Sequence, residues 1–71
     1  MMVSREQTIF NWALEYAIRW SDSRNCTTEA DFHKAANRGA EAYQINLTDY
    51  DRRQWVDMIR MFSDLRHVQA D

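Results

Sequence analysis

The sequence predicts an all-α protein, a compact domain of three helices that spans residues 1–71. The chain contains no proline and a single glycine, Gly39, so it lacks the glycine-containing pairs on which tight hairpin turns depend. No segment of useful length alternates polar and apolar residues, which is the pattern of a half-buried strand. Apolar residues instead recur every three or four positions, and three N-cap signals precede the apolar segments.

The first predicted helix covers residues 5–22 and has more apolar surface than one buried face requires. It follows Ser4, which forms with Gln7 the Ser-x-x-Gln pattern of a capping box. Its apolar residues are Ile9, Phe10, Trp12, Ala13, Leu14, Tyr16, Ala17, Ile18 and Trp20. A surface helix needs an apolar stripe of a little over about 100°. This helix is therefore predicted to lie between two others or to be shared with another chain.

The second predicted helix covers residues 28–44 and is rich in small residues. Thr28 is its N-cap, and Glu29 and Asp31 place acids in the first turn, where the helix dipole favours them. Gly39 costs about 1 kcal/mol relative to alanine inside a helix. We interpret it as a site of close packing against a neighbour, for example a tryptophan ring. The alternative is a break that shortens the helix.

The third predicted helix covers residues 49–68 and follows the N-cap Thr48, and residues 69–71 are predicted to fray. Its clearest pattern is a seam at successive a and d positions, with Ile59 beside it. The residues of this seam are Trp55, Met58, Phe62 and Leu65. Two heptads are too few for a long coiled coil. Val56, Met61 and Val68 lie outside this seam, so this helix also has more apolar surface than one contact requires.

Composition excludes several function classes. One cysteine, Cys26, and two distant histidines offer neither a disulfide nor the spacing of a zinc site. The chain has no glycine-rich phosphate loop and no nucleophile–base pair with an orienting group. The net charge is −2 and no apolar stretch is long enough to span a membrane. We therefore expect a cytoplasmic protein without enzymatic activity, cofactor, metal or membrane partner.

A small DNA-associated regulator with a degenerate helix-turn-helix is the alternative interpretation. Ala35, Gly39 and Ile45 approximate the spacing of that motif. However, Asp49 and Asp51 would open the recognition helix and repel phosphates. Only in this alternative would a nucleic acid be bound by basic residues, namely Arg24, Lys34, Arg38, Arg52 and Arg53.

The residue types favour a protein partner instead. Three Trp, three Tyr and three Phe occur in 71 residues, and aromatic residues and methionine are enriched in interface cores. The alternative is that these side chains simply fill a small core. The predicted partner-binding residues are Phe10, Trp12, Tyr16, Trp20, Trp55, Met58 and Met61. Of these, Trp12 and Tyr16 are the leading candidates. The expected assembly is a homodimer formed by the surplus apolar faces of the first and third helices.

In length and composition the chain resembles the small helical accessory proteins that bacteria and temperate phages carry. No sequence motif contributes to this resemblance, so it assigns no residue a role. It implies a regulatory protein that binds and modulates a host or self protein.

Overall fold

The computed structural model describes the backbone of residues 4–69 and the side chains of residues 4–65. It contains helices α1 (Arg5–Ser23), α2 (Glu29–Ala42) and α3 (Asp49–Gln69), and no strand occurs in the described part of the chain. The predicted all-helical, three-helix fold is therefore confirmed. The radius of gyration is 12.3 Å, close to the roughly 11 Å expected of a compact domain of this length. Of the predicted frayed tail, Gln69 is the last residue of α3, and residues 70 and 71 lie outside the described residues.

Each helix begins at the N-cap that the sequence predicts. A hydroxyl accepts a hydrogen bond from the backbone N–H three residues further on, which satisfies one of the otherwise unpaired amides of the first turn. These bonds join Ser4 to Gln7 (3.1 Å), Thr28 to Asp31 (3.2 Å) and Thr48 to Asp51 (3.0 Å). The Gln7 side chain donates to Asn11 instead of pairing with the Ser4 backbone. Of the predicted capping box, the bond from the Gln7 amide to the Ser4 hydroxyl is therefore the part that forms.

The ends of α1 and α2 are closed by Schellman motifs that contain no glycine. After α1, Cys26 N–H donates to Ser21 and Asn25 N–H donates to Asp22. After α2, Ile45 N–H donates to Ala40 and Gln44 N–H donates to Glu41. Asn25 and Gln44 adopt the left-handed conformation that this motif requires, with φ of 53° and 54°.

α1 and α2 pack closely because their facing residues are small. The buried line of α1 is Ala13, Ala17 and Ser21, and Gly39 of α2 lies directly against it. A Cβ on Gly39 would collide with the Ala13 carbonyl oxygen and would lie 2.9 Å from the Ala17 Cβ. The predicted role of Gly39 in close packing is confirmed, although its neighbour is the backbone of α1 rather than a tryptophan ring.

α3 runs antiparallel to α2 and covers the core with only part of its predicted seam. Two contacts fix the direction. Near the start of α3, Arg52 donates a hydrogen bond to Asn37, and two turns later Arg60 forms an ion pair with Glu29. The large, fully buried side chains of α3 are Trp55, Val56 and Ile59. The remaining members of the predicted seam are exposed, namely Met58, Phe62 and Leu65. The seam is displaced because α2 approaches α3 on the side of Arg52, Val56 and Arg60.

Candidate interaction surfaces

Two groups of large apolar side chains remain exposed on this scaffold. The first, which we call the aromatic surface, consists of Trp12 and Tyr16 of α1 together with Tyr43, the residue that follows α2. The second, which we call the α3 stripe, consists of four residues on one helix face. These residues are Met58, Met61, Phe62 and Leu65. Monomeric proteins rarely leave such patches exposed without an interaction to form.

The aromatic surface exists because α1 turns its small residues toward α2. Trp12 and Tyr16 each precede a buried alanine of α1 by one position, which rotates their rings about 100° away from the α1–α2 contact. They lie one helical turn apart and thus on a common flank. Trp12 is 54% exposed, so the tight α1–α2 packing leaves its ring uncovered.

The geometry of the aromatic surface combines rings with charges of both signs. The rings of Tyr16 and Tyr43 meet edge to face, with centroids 6.2 Å apart and an interplanar angle of 76°. Arg19 and Glu15, one turn apart on α1, form an exposed ion pair of 2.7 Å. Together with Trp12, these residues line a shallow concavity of about 370 Å³. Its apolar walls and mixed charges suit a protein surface better than a small polar metabolite.

The sequence interpretation missed Tyr43 as a surface residue. The spacing from Phe32 and Gly39 places Tyr43 on the same face of an uninterrupted helix. However, α2 ends at Ala42, and Tyr43 is its C-cap. Its ring meets that of Tyr16 of α1 and is 37% exposed, so it lies on the surface rather than in the core. The one sequence signal for Tyr43 as a surface residue was its residue type, because tyrosine is enriched in protein interfaces.

Two of the predicted partner-binding residues pack against each other inside the domain. Trp55 is only 1% exposed, and Phe10 is half-buried, with its ring centroid 5.0 Å from that of Trp55. The Trp55 indole N–H is buried without a hydrogen-bond acceptor among the described residues. Trp55 thus lies in the core of the domain rather than on its surface, because α3 turns this residue toward α1.

Trp20, another predicted partner-binding residue, lies outside both surfaces. It is half-buried against the core cluster. The Arg24 guanidinium lies over its ring, 5.0 Å from the centroid, which is the geometry of a cation–π contact. Trp12 and Tyr16 are therefore the predicted residues of α1 that the structure brings together on one exposed surface.

The α3 stripe follows the helical repeat i, i+3, i+4, i+7. Met61 and Leu65 are each about half exposed, at 52% and 50%. With Asp57, Arg60 and Asp64 they line an open concavity of about 300 Å³. The predicted partner-binding residues Met58 and Met61 both belong to this stripe, and Phe62 and Leu65 extend it.

The basic residues considered for nucleic-acid binding are distributed over the domain and partly engaged. Arg24 stacks on Trp20 at the end of α1. Arg52 donates to Asn37 (3.1 Å) and to Asp49 (3.4 Å). The others are exposed, Lys34 and Arg38 on α2 and Arg53 on α3. Arg24 and Arg52 are thus engaged with neighbouring side chains, while Lys34, Arg38 and Arg53 are exposed.

Among the described residues, no group of three or more His, Cys, Asp or Glu side chains is arranged to hold a metal ion. The thiol of Cys26 is buried. No helix within residues 4–69 combines the length and the apolar character needed to cross a membrane. Comparison with protein-family models, with curated proteins and with solved structures gives no match for this chain.

Proposed function

We propose that this chain is a non-catalytic protein-interaction module that assembles as a homodimer through its aromatic surface and acts as a regulatory protein. The observation that supports this most directly is the exposure of Trp12 beside two exposed tyrosines, Tyr16 and Tyr43. Trp and Tyr are the side chains most often found at the energetic centre of protein interfaces. Their burial against a partner removes apolar surface from water at about 25 cal/mol per Å².

The charges of the aromatic surface favour a second copy of the same chain as the partner. A two-fold dimer requires a surface that is complementary to itself. Glu15 and Arg19 supply one acid and one base on the same flank as the rings. When two α1 helices cross antiparallel near Tyr16, Arg19 of each copy comes opposite Trp12 of the other, where a cation–π contact forms.

We expect Trp12→Glu to abolish the dimer while the domain stays folded. The ring is more than half exposed in one protomer, so its loss creates no cavity, whereas a carboxylate in an apolar interface is costly to desolvate. Sedimentation velocity over a range of concentrations measures the assembly, and circular dichroism measures the helical content. Tyr50→Glu is the matched control, because Tyr50 is 69% exposed on α3 and belongs to neither surface.

Substitutions of Arg19 test the proposed contact from its other side. We expect Arg19→Glu to weaken assembly, because a carboxylate replaces the cation opposite the Trp12 ring, and Arg19→Lys to retain assembly, because the cation is kept. A wild-type chain that sediments as a monomer at every concentration would refute the proposal. So would a Trp12→Glu variant that keeps the wild-type mass, or one that loses its helical content, since Trp12 would then be a core residue.

A further inference from the structure

We infer that the α3 stripe binds an amphipathic helix of a different protein, one whose apolar face is flanked by lysine or arginine. This inference rests on the proposed role as an interaction module, but it concerns a surface separate from the proposed dimer contact. The stripe consists of Met58, Met61, Phe62 and Leu65, as defined above.

The shape and composition of the stripe suit a helical ligand. Its four side chains repeat at i, i+3, i+4 and i+7 and project from one face of α3. An apolar row of this kind accepts the corresponding row of a second helix. Two of the four are methionines, whose flexible side chains adjust to the contour of a partner. Met61 and Leu65 form the floor of the concavity described above.

The charges beside the stripe determine the chemistry of the partner. Asp57 and Asp64 are exposed along one edge, and neither forms an ion pair or hydrogen bond with the described side chains. Arg60 lies between them in sequence but is directed to α2, where it forms an ion pair with Glu29 at 3.7 Å and lies 5.9 Å from the Phe32 ring. Over residues 57–65, the charge along this edge that no described side chain pairs is thus acidic. A lysine or arginine can place its alkyl chain across the stripe and its charged group at a carboxylate.

The same charges disfavour a second copy of this chain on the stripe. When two identical helices pack antiparallel about a two-fold axis, each edge of the stripe meets the same edge of the other copy. Asp57 and Asp64 would then lie along one seam with their counterparts, and like charges repel. The stripe is therefore not self-complementary, in contrast to the aromatic surface with its acid and base.

Two synthetic peptides test the inference on the full-length protein. The first is a fluorescein-labelled amphipathic helix of four turns, with leucines at i, i+3, i+4 and i+7 and lysines on both flanks. The second is identical except that glutamate replaces each flanking lysine. Fluorescence anisotropy gives the Kd of each. We expect the lysine peptide to bind at least about tenfold more tightly, a difference that corresponds to about 1.4 kcal/mol.

Three variants make the outcome decisive. Met61→Lys/Leu65→Lys should abolish binding of the lysine peptide, and Asp57→Lys/Asp64→Lys should reverse the preference toward the glutamate peptide. Trp12→Glu should bind the lysine peptide as the wild-type chain does, which separates this site from the dimer contact. All substituted side chains are exposed, and circular dichroism checks that the variants fold.

Equal affinity for the two peptides would overturn the inference, as would unchanged binding by Met61→Lys/Leu65→Lys. Binding of anionic lipid vesicles without binding of the lysine peptide would also overturn it. If the wild-type chain is dimeric but does not bind the lysine peptide, the docking site is rejected and the proposed dimer is retained. If the wild-type chain binds the lysine peptide but is strictly monomeric, the proposed dimer is rejected and the docking site is retained.

Discussion

At the scale of single residues, Gly39 shows how position overrides propensity. A glycine inside an exposed helix normally reduces stability, and its replacement by alanine normally restores about 1 kcal/mol. At this position a Cβ would collide with the Ala13 carbonyl oxygen and approach the Ala17 Cβ to 2.9 Å. The obstacle is backbone and a short side chain, so neither can rotate away. The close approach of α1 and α2 therefore requires a residue without a side chain at position 39.

We therefore expect Gly39→Ala to destabilise the protein by about 1–3 kcal/mol, the usual cost of overpacking a core. Urea denaturation followed by circular dichroism measures the change in the free energy of unfolding. Lys34→Ala is the control, because Lys34 is exposed on the same helix, and its effect should stay within about 0.5 kcal/mol. A Gly39→Ala variant more stable than the wild-type chain would contradict the packing described here.

The same scale explains why the three tryptophans have different environments. Trp12 is exposed, Trp20 is half-buried beneath Arg24, and Trp55 is in the core against Phe10. The amino-acid composition does not distinguish these three tryptophans. Their environments depend on rotations of about 100° per residue around each helix axis, relative to neighbours that are distant in sequence.

At the scale of the elements, the helix starts and the helix ends follow different chemistry. The starts use Ser4, Thr28 and Thr48, residue types that prefer the N-cap position. The ends of α1 and α2 use Asn25 and Gln44 in the left-handed conformation that glycine usually supplies. Asparagine visits this conformation more readily than other non-glycine residues. Gln44 has no such advantage, so the end of α2 carries the larger backbone strain.

We accordingly expect Gln44→Gly to stabilise the protein by about 0.5–1 kcal/mol. Relief of the left-handed penalty of about 1–2 kcal/mol outweighs the extra flexibility that glycine gives the unfolded chain. The Gln44 side chain is exposed, so little packing is lost. Gln44→Ala is the control and should leave stability nearly unchanged, because alanine keeps the Cβ. Differential scanning calorimetry measures the shift in Tm, and a lower Tm for Gln44→Gly would contradict the assignment.

At the scale of the whole molecule, the exposed apolar side chains form two surfaces of different character. The aromatic surface carries an acid and a base, which suits the proposed contact with a second copy. The α3 stripe is flanked by two exposed carboxylates that no described side chain pairs. A domain of this length buries only about 60% of its extended surface and is marginally stable alone. A dimer formed through one surface would add stability and leave the other available for a second protein.

If the proposed dimer forms, the thermal stability of the wild-type chain should rise with its concentration. A concentration of about one hundred times the dissociation constant adds up to roughly 2.7 kcal/mol of apparent stability relative to the free monomer. For a domain of this size, that corresponds to a rise in Tm of roughly 10–20 °C. Trp12→Glu should show a Tm independent of concentration. A wild-type Tm that does not change with concentration would contradict the proposed assembly.

The sequence determined which segments are helical and where each helix begins. Those properties depend on interactions within a few residues, such as the hydroxyl of Thr28 and the amide of Asp31. The surplus of apolar residues on α1 was likewise visible, and Trp12 and Tyr16 were named as surface residues from it. The predicted end of α2 was less accurate, because no glycine marks the motif at Gln44.

Only the tertiary structure decided which face of each helix is buried. The pattern of α3 admits a seam through Phe62 and Leu65 as readily as one through Val56 and Ile59, and the approach of α2 selects the second. In the same way, the contact between the Tyr43 and Tyr16 rings joins two residues that lie far apart in the sequence. Helical periodicity fixes the angles between side chains on one helix, but the direction from which another helix arrives is set by contacts between residues far apart in the chain.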